Sequence, residues 1–186
     1  MNDTRNRILI SARELFTDYG YKKVSMDEIA RNSGVTKKTV YSYFDDKDSL
    51  LKFLIEDEIL SMKSIIDEYS SDNSLDAFSF LNKSLYSLLK YKRESKLLFR
   101  LSKEIDSSNI DASIRYIDSS IISFIKDKIL MLKDRLDLDV NIDVDLCAFI
   151  IFKVYVSVMF EYDKDINESE ITHNVTQILK NGLFNK

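Results

Sequence analysis

The sequence predicts an all-α protein, and three observations carry that prediction. Its 186 residues include no proline and only three glycines, so helix breakers and turn formers are scarce. No segment shows the period-two alternation of a half-buried strand. Apolar residues instead recur three and four positions apart over long stretches, the spacing of one helix face. With 45% hydrophobic and 31% charged residues, the composition is that of a soluble globular chain able to bury a proper core.

Ile8, Ala12, Leu15, Phe16 and Tyr19 define a first helix, and Gly20 is its expected stop. "SMDE" at 25–28 offers a capping box for a second, with Ser25 as N-cap and Glu28 reaching back to it. That helix is short, buries Ile29 and Ala30, and ends at Gly34. Thr36 can cap a third helix of about two turns. Asp45 or Asp46 caps a fourth, from about Lys47 to Tyr69, with Leu51, Ile55, Ile59, Met62, Ile66 and Tyr69 as its apolar stripe. Such a helix reaches roughly 35 Å and would join head to body with no flexible linker. Further helices are expected near 74–91, 93–106, 110–136, 144–163 and 168–183, with Ser74, Asn109, Asp143 and Asn167 as candidate N-caps. The serine-rich "SSDNS" and "DSSN" read as loops, and no internal repeat is present.

Charge and composition exclude several functions. Cys147 is the only cysteine and His173 the only histidine, so neither an intrachain disulfide nor a zinc site of cysteines and histidines is expected. There is no phosphate loop, nucleophile elbow or zinc motif, and the reading is of a non-enzyme with no cofactor and no metal. The N-terminus lacks the apolar run of a signal peptide. "LCAFIIFKVYVSVMF" (146–160) carries Lys153 at its middle and falls short of the roughly 20 residues that span a bilayer. A cytoplasmic protein without a membrane partner is expected.

The net charge of −4 hides an asymmetry. Residues 1–52 hold 10 Lys/Arg against 8 Asp/Glu, while residues 53–186 hold 17 against 23. A mildly basic head on an acidic body fits an anionic partner for the head alone. "MDEIARNSGVTKKTVYSYF" has the parts of a helix-turn-helix in order: a short helix, a tight turn with glycine, and a second helix presented outward. At about 100° per residue, Val40 and Phe44 fall on the inward side, and Lys37, Lys38, Tyr41 and Ser42 on the other. That outer face has cations, a phenol and a hydroxyl, with no carboxylate. Lysine can pair with phosphate or with guanine O6/N7, while phenols and hydroxyls donate to phosphate oxygens. Helix N-termini near Ser25, Thr36 and Lys47 add backbone N–H donors.

Residues 4–52 resemble the DNA-binding domain of the tetracycline-repressor-like (TetR) transcriptional regulators, through "ILISARELFTDYGYKKVSMDEIARNSGV" followed by "TKKTVYSYFDDKDSL". Ser25, Ile29, Ala30, Ser33, Gly34, Val35, Thr36, Tyr41, Tyr43, Phe44, Lys47 and Leu50 match the family pattern in order and spacing. The resemblance implies phosphate contacts from Ser25, Thr39, Tyr41, Tyr43 and Lys47, and places Lys37, Lys38 and Ser42 near base edges. Lys38 stands where many members carry glycine, so no operator sequence carries over. The expected division is a helix-turn-helix DNA-binding domain over 1–48, and a helical effector-binding and dimerisation domain over 49–186.

The resemblance also implies a homodimer through the last two helices, a palindromic double-stranded DNA operator, repression, and release by a small-molecule effector. The sequence supports the dimer independently: 146–160 is apolar nearly all round, more than one core-facing stripe requires. Ile171, Val175, Ile178, Leu179 and Leu183 give the last helix a matching face. Candidate effector-lining residues are Tyr86, Phe99, Tyr116, Phe124, Phe149, Phe152, Lys153 and Tyr155, though each of the aromatics reads more simply as ordinary bundle core. Lys153 must pair, snorkel or meet a ligand. A body that recognises a protein partner instead of a small ligand is the alternative.

Overall fold

The computed structural model describes residues 3–104, 111–133, 143–158, 162 and 167–181, without the side chains of 99, 102, 103, 111–118 and 181. The described residues form helices and turns with no strand. The order is α1 (Asp3–Tyr19), α2 (Met26–Asn32), α3 (Lys37–Tyr41), α4 (Lys47–Ser70), α5 (Ala77–Glu94), α6 (Lys96–Glu104), α7 (Asp111–Leu132), α8 (Val144–Val156) and α9 (Glu168–Asn181).

Short polar side chains set the helix ends. Of the two aspartates before α4, Asp46 is the cap: its Oδ1 accepts the Ser49 N–H at 2.6 Å, and Ser49 Oγ accepts the Asp46 N–H at 3.2 Å. Asp143 and Asn167 cap α8 and α9 through the N–H groups of Leu146 and Glu170. Ser74 does not cap α5. Its N–H and hydroxyl turn back to Asp72, and Asp76 takes the cap by accepting the Ser79 N–H at 2.9 Å. Asn109 lies outside the described residues. α8 ends at Val156 rather than near 163, where a wider turn closes from the Tyr162 N–H to Ser157 O at 2.9 Å.

Packing divides the chain into two compact units, Met1–Leu60 with Ser95–Ser113, and Ser61–Glu94 with Ile114–Lys186. In the first unit, Ile8, Ala12 and Phe16 of α1 meet Met26, Ile29 and Ala30 of α2, Val40 and Phe44 around α3, and Leu50, Leu51 and Leu54 of α4. Leu97 and Leu101 complete that core, so α6 packs with the helix-turn-helix although the chain passes through α5 to reach it. Truncating a buried residue such as Phe16 to alanine costs about 3–5 kcal/mol at sites of this kind. Polar groups reinforce the α6 contact. Glu58 of α4 is buried, accepts the Ser95 hydroxyl at 2.9 Å and pairs with Arg13 of α1. Gly20 ends α1 at φ +89°, with the Glu104 carboxylate in the space a Cβ would need.

In the second unit, Leu85 and Leu89 of α5 pack with Met62, Tyr155, Val158, Ile171 and Val175. Asn82 reaches Thr176 at 3.1 Å and Arg93 pairs with Glu168 at 2.8 Å, joining α5 to α9. Lys63 of α4 donates to Ser120 Oγ of α7 at 3.0 Å, and Lys128 of α7 pairs with Asp67 of α4 at 2.5 Å. Both ammonium groups lie 5.3 Å from the Phe124 ring centroid, a cation–π pair on one ring. Among the described residues, no helix is long and apolar enough to cross a membrane.

Candidate nucleic-acid interface

The first unit presents α3 by fixing its two ends. Ser25 caps α2 and takes part in the full capping box: its Oγ accepts the Glu28 N–H at 3.3 Å, and its own N–H donates to Glu28 Oε2 at 2.8 Å. The Ser25 hydroxyl also donates to that carboxylate, and these bonds hold the Glu28 carboxyl below its usual range. The turn is closed by Gly34 at φ +66° and by Ser33, whose hydroxyl donates to Ile29 O at 2.6 Å. Thr36 then caps α3 by accepting the Thr39 N–H at 3.1 Å, with the two threonine hydroxyls 2.8 Å apart.

α3 spans five residues, shorter than the two turns its sequence suggests, because the chain turns at Ser42 to bury Phe44. Val40 points inward and is fully buried. Thr36, Lys37, Lys38, Tyr41 and Ser42 are exposed, and Thr39 is half-buried. Lys37 pairs with Asp27 of α2 at 2.8 Å; that hydrogen bond raises the lysine's pKa and ties the two helices together. The Ser42 hydroxyl donates to Thr39 O at 2.6 Å, which leaves its lone pairs outward. Tyr43 is half-buried against the core, so part of its ring is structural. Lys47 differs most from a free surface cation. Its Nζ donates to Tyr21 O at 2.9 Å and Val24 O at 2.8 Å and lies 4.3 Å from the Tyr21 ring centroid. The lysine therefore anchors the α1–α2 turn from the start of α4. Tyr21 in turn donates to Asp48, and burial together with that carboxylate pushes the phenol's pKa up.

A sequence profile described as bacterial regulatory proteins, tetR family, matches residues 8–54, the span that builds these helices and the start of α4. Residues 8–54 are thus similar to the DNA-binding domain of the tetR family. Over 167 residues the chain is 29% identical to an HTH-type transcriptional regulator of Bacillus subtilis, YhgD, covering 87% of this chain and 85% of that one. An HTH-type regulator of Staphylococcus aureus, SAB2452, is 33% identical over 100 residues, about half of each chain (52% and 51%). Among solved structures, FadR of Bacillus subtilis in complex with stearoyl-CoA is similar with a TM-score of 0.78 at 18% identity, over 97% of this chain and all (100%) of that one. A TetR-family regulator of Syntrophomonas wolfei gives 0.76 at 23% identity, over 97% and 96%. These relatives and structural neighbours are transcriptional regulators.

The expected effector residues occupy different environments. Tyr86 and Phe149 are exposed, Phe152 is buried, and the Phe124 ring is in contact with the ammonium groups of Lys63 and Lys128. Lys153 snorkels: it is exposed, with its ammonium 5.3 and 5.7 Å from the Phe152 and Phe149 ring centroids. The Tyr155 hydroxyl is buried without a hydrogen-bond partner among the described residues, and burial raises its pKa. The side chains of Phe99 and Tyr116 lie outside the described residues. An open cleft of about 660 Å³ is lined by Asp67, Ser70, Ser71, Asn73, Lys128, Met131 and Leu132, with none of the expected residues among them. Sequence reasoning missed Asp27 as the partner of Lys37 and missed Arg5, which stacks on Phe53 and Phe44. Asp27 was visible only as a helix-start acid, and nothing local marks Arg5.

Proposed function

We propose that this chain is a tetR-family regulator, a homodimeric, cytoplasmic repressor of a palindromic operator, released by a small-molecule effector. Residues 1–48 would read DNA and residues 49–186 would dimerise and hold the effector. The observation that carries the reading is the outward face of α3, where Lys37, Lys38, Tyr41 and Ser42 stand exposed above a core that buries Val40. Ser25, Thr36, Thr39, Tyr43 and Lys47 flank it, suited to phosphate oxygens and to positioning the helix. For the dimer, the support is apolar surface on the last two helices: Leu146, Phe149 and Ile150 on α8, and Ile178 and Leu179 on α9, are all exposed. A two-fold pair would meet half-sites roughly 34–36 Å apart.

Acyl-CoA thioesters are the first effector class to try, since similar folds were solved with stearoyl-CoA and, in Thermus thermophilus FadR, with lauroyl-CoA. The acidic balance of residues 53–186 argues for a neutral or cationic molecule instead. The alternative, a body that meets a protein partner, is favoured by the open cleft of mixed polar and apolar lining, which is unlike the enclosed apolar chamber an oily effector needs.

Selection of bound duplexes from a random pool, followed by gel shift on the winner, tests the reading. A palindrome bound by two chains is the expected result; a folded protein that enriches no sequence contradicts it. Adding stearoyl-CoA or a cationic amphiphile to that complex then separates the effector classes by which one releases the duplex.

A further inference from the structure

We propose that Arg5 is a phosphate clamp on DNA, a guanidinium held over aromatic rings beside the reading helix with its N–H edge open to a phosphodiester oxygen. The inference rests on the DNA-reading role proposed above and adds to it a residue that the helix-turn-helix motif does not contain.

Arg5 lies in the first two turns of α1, and its Cζ sits 3.9 Å from the Phe53 ring centroid and 5.6 Å from that of Phe44. The two rings meet edge to face at 6.2 Å. Phe44 follows directly on Tyr43, and its N–H returns to Val40 O at 3.0 Å. The guanidinium is therefore placed at the turn that leaves α3, the corner that carries Ser42 and Tyr43. Stacking uses the flat face of a guanidinium and leaves its five N–H donors around the rim.

Its neighbours in the same unit use their charge differently. Arg7 pairs with Asp3, Arg13 with Asp57 and Glu58, Lys37 with Asp27 and Arg100 with Glu104, while Lys47 is spent on two backbone carbonyls. Arg5 is half-buried and has no carboxylate or carbonyl acceptor among the described residues. A cation partly withdrawn from water, rigidly held and lacking an anion is stabilised by one that arrives. A phosphodiester on the strand tracked by α3 supplies it, and little side-chain freedom is lost because the rings already fix the group.

The test uses full-length protein and the duplex recovered by selection, with affinity followed by fluorescence anisotropy from 50 to 200 mM salt. Arg5→Met removes the charge and keeps an unbranched thioether against the rings. The expected result is a slope of log affinity against log salt shallower by about 0.9, so that the variant loses about threefold less affinity over that range. The weakening should be equal on selected and scrambled duplexes, because a phosphate contact carries no sequence. An unchanged slope overturns the clamp. If Arg5→Met does not fold, solvent exchange of the Arg5 Nε–H in the wild type decides: slowing on duplex addition supports the clamp, and unaltered exchange overturns it. A wild type that binds no duplex removes the regulator reading and the clamp together, whereas binding with an unaltered Arg5 removes the clamp alone.

Discussion

Tyr41 and Lys47 look alike as sequence candidates, but the structure uses them differently. Tyr41 is exposed and its phenol faces outward, so Tyr41→Ala should weaken DNA binding and change unfolding free energy by less than about 0.5 kcal/mol. Lys47 serves two carbonyls, and removing it leaves Tyr21 O and Val24 O without that donor. Lys47→Ala should therefore destabilise the fold by about 1–3 kcal/mol as well as weakening DNA binding. Urea unfolding beside a gel shift separates the two variants; equal stability would show that the Lys47 bonds are not maintained in solution. Glu28 offers a test by pH. Its carboxyl is held below the ordinary 4.5 by the Ser25 hydroxyl and then the Ser25 backbone, so the unfolded chain takes up its proton first as pH falls. The stabilisation is complete above about 4.5 and is lost as pH drops through the lower folded value. The stability gap between wild type and Glu28→Ala should thus narrow from pH 6 to pH 3 in urea melts, and a constant gap would contradict the capping box.

At the scale of elements, α6 is held to the helix-turn-helix core by Leu97 and Leu101, and its start is fixed through the buried Glu58. Glu58→Ala strands Arg13 beside Asp57 alone and frees the Ser95 hydroxyl, which also accepts the Leu98 N–H at 3.3 Å. Breaking one side of a buried pair costs about 3–5 kcal/mol, tempered here by the partial exposure of Arg13. Amide exchange should quicken in α6 and in the middle of α1; protection equal to wild type there would mean the apolar contacts alone hold α6. Helix positions and most of their ends were legible in the chain, since caps and apolar stripes act over three or four residues. The Ser25–Glu28 box, Asp143 and Asn167 are of this kind. Ser74 misled because its own donors turn back to Asp72, while the Asp76 carboxylate takes the Ser79 N–H at the helix start. The end of α8 misled because an apolar run does not reveal where its hydrogen-bond ladder widens.

For the whole molecule, the question is whether the exposed apolar residues of α8 and α9 meet a second copy. Phe149→Asp places a charge where Leu146, Phe149 and Ile150 stand exposed, and should convert dimer to monomer in sedimentation while leaving the helical content of the chain unchanged. Operator affinity should fall at least tenfold, because one head then binds without the other. A dimer that survives would move the interface elsewhere.

What the sequence determined by itself was local or periodic: an all-helical chain, the order and caps of the helix-turn-helix, and an outward α3 face of lysines, a tyrosine and a serine. These depend on contacts within a turn or two of helix, so neighbouring residues suffice to specify them. The tertiary structure decided which of those side chains remain free. It committed Lys47 to carbonyls 26 and 23 residues away, paired Lys37 with Asp27, set Arg5 on two distant rings, and brought α6 into the first core. Such pairings depend on where the chain returns in space, and many sequence positions could in principle supply a carbonyl, a carboxylate or a ring. Only the packed fold selects among them.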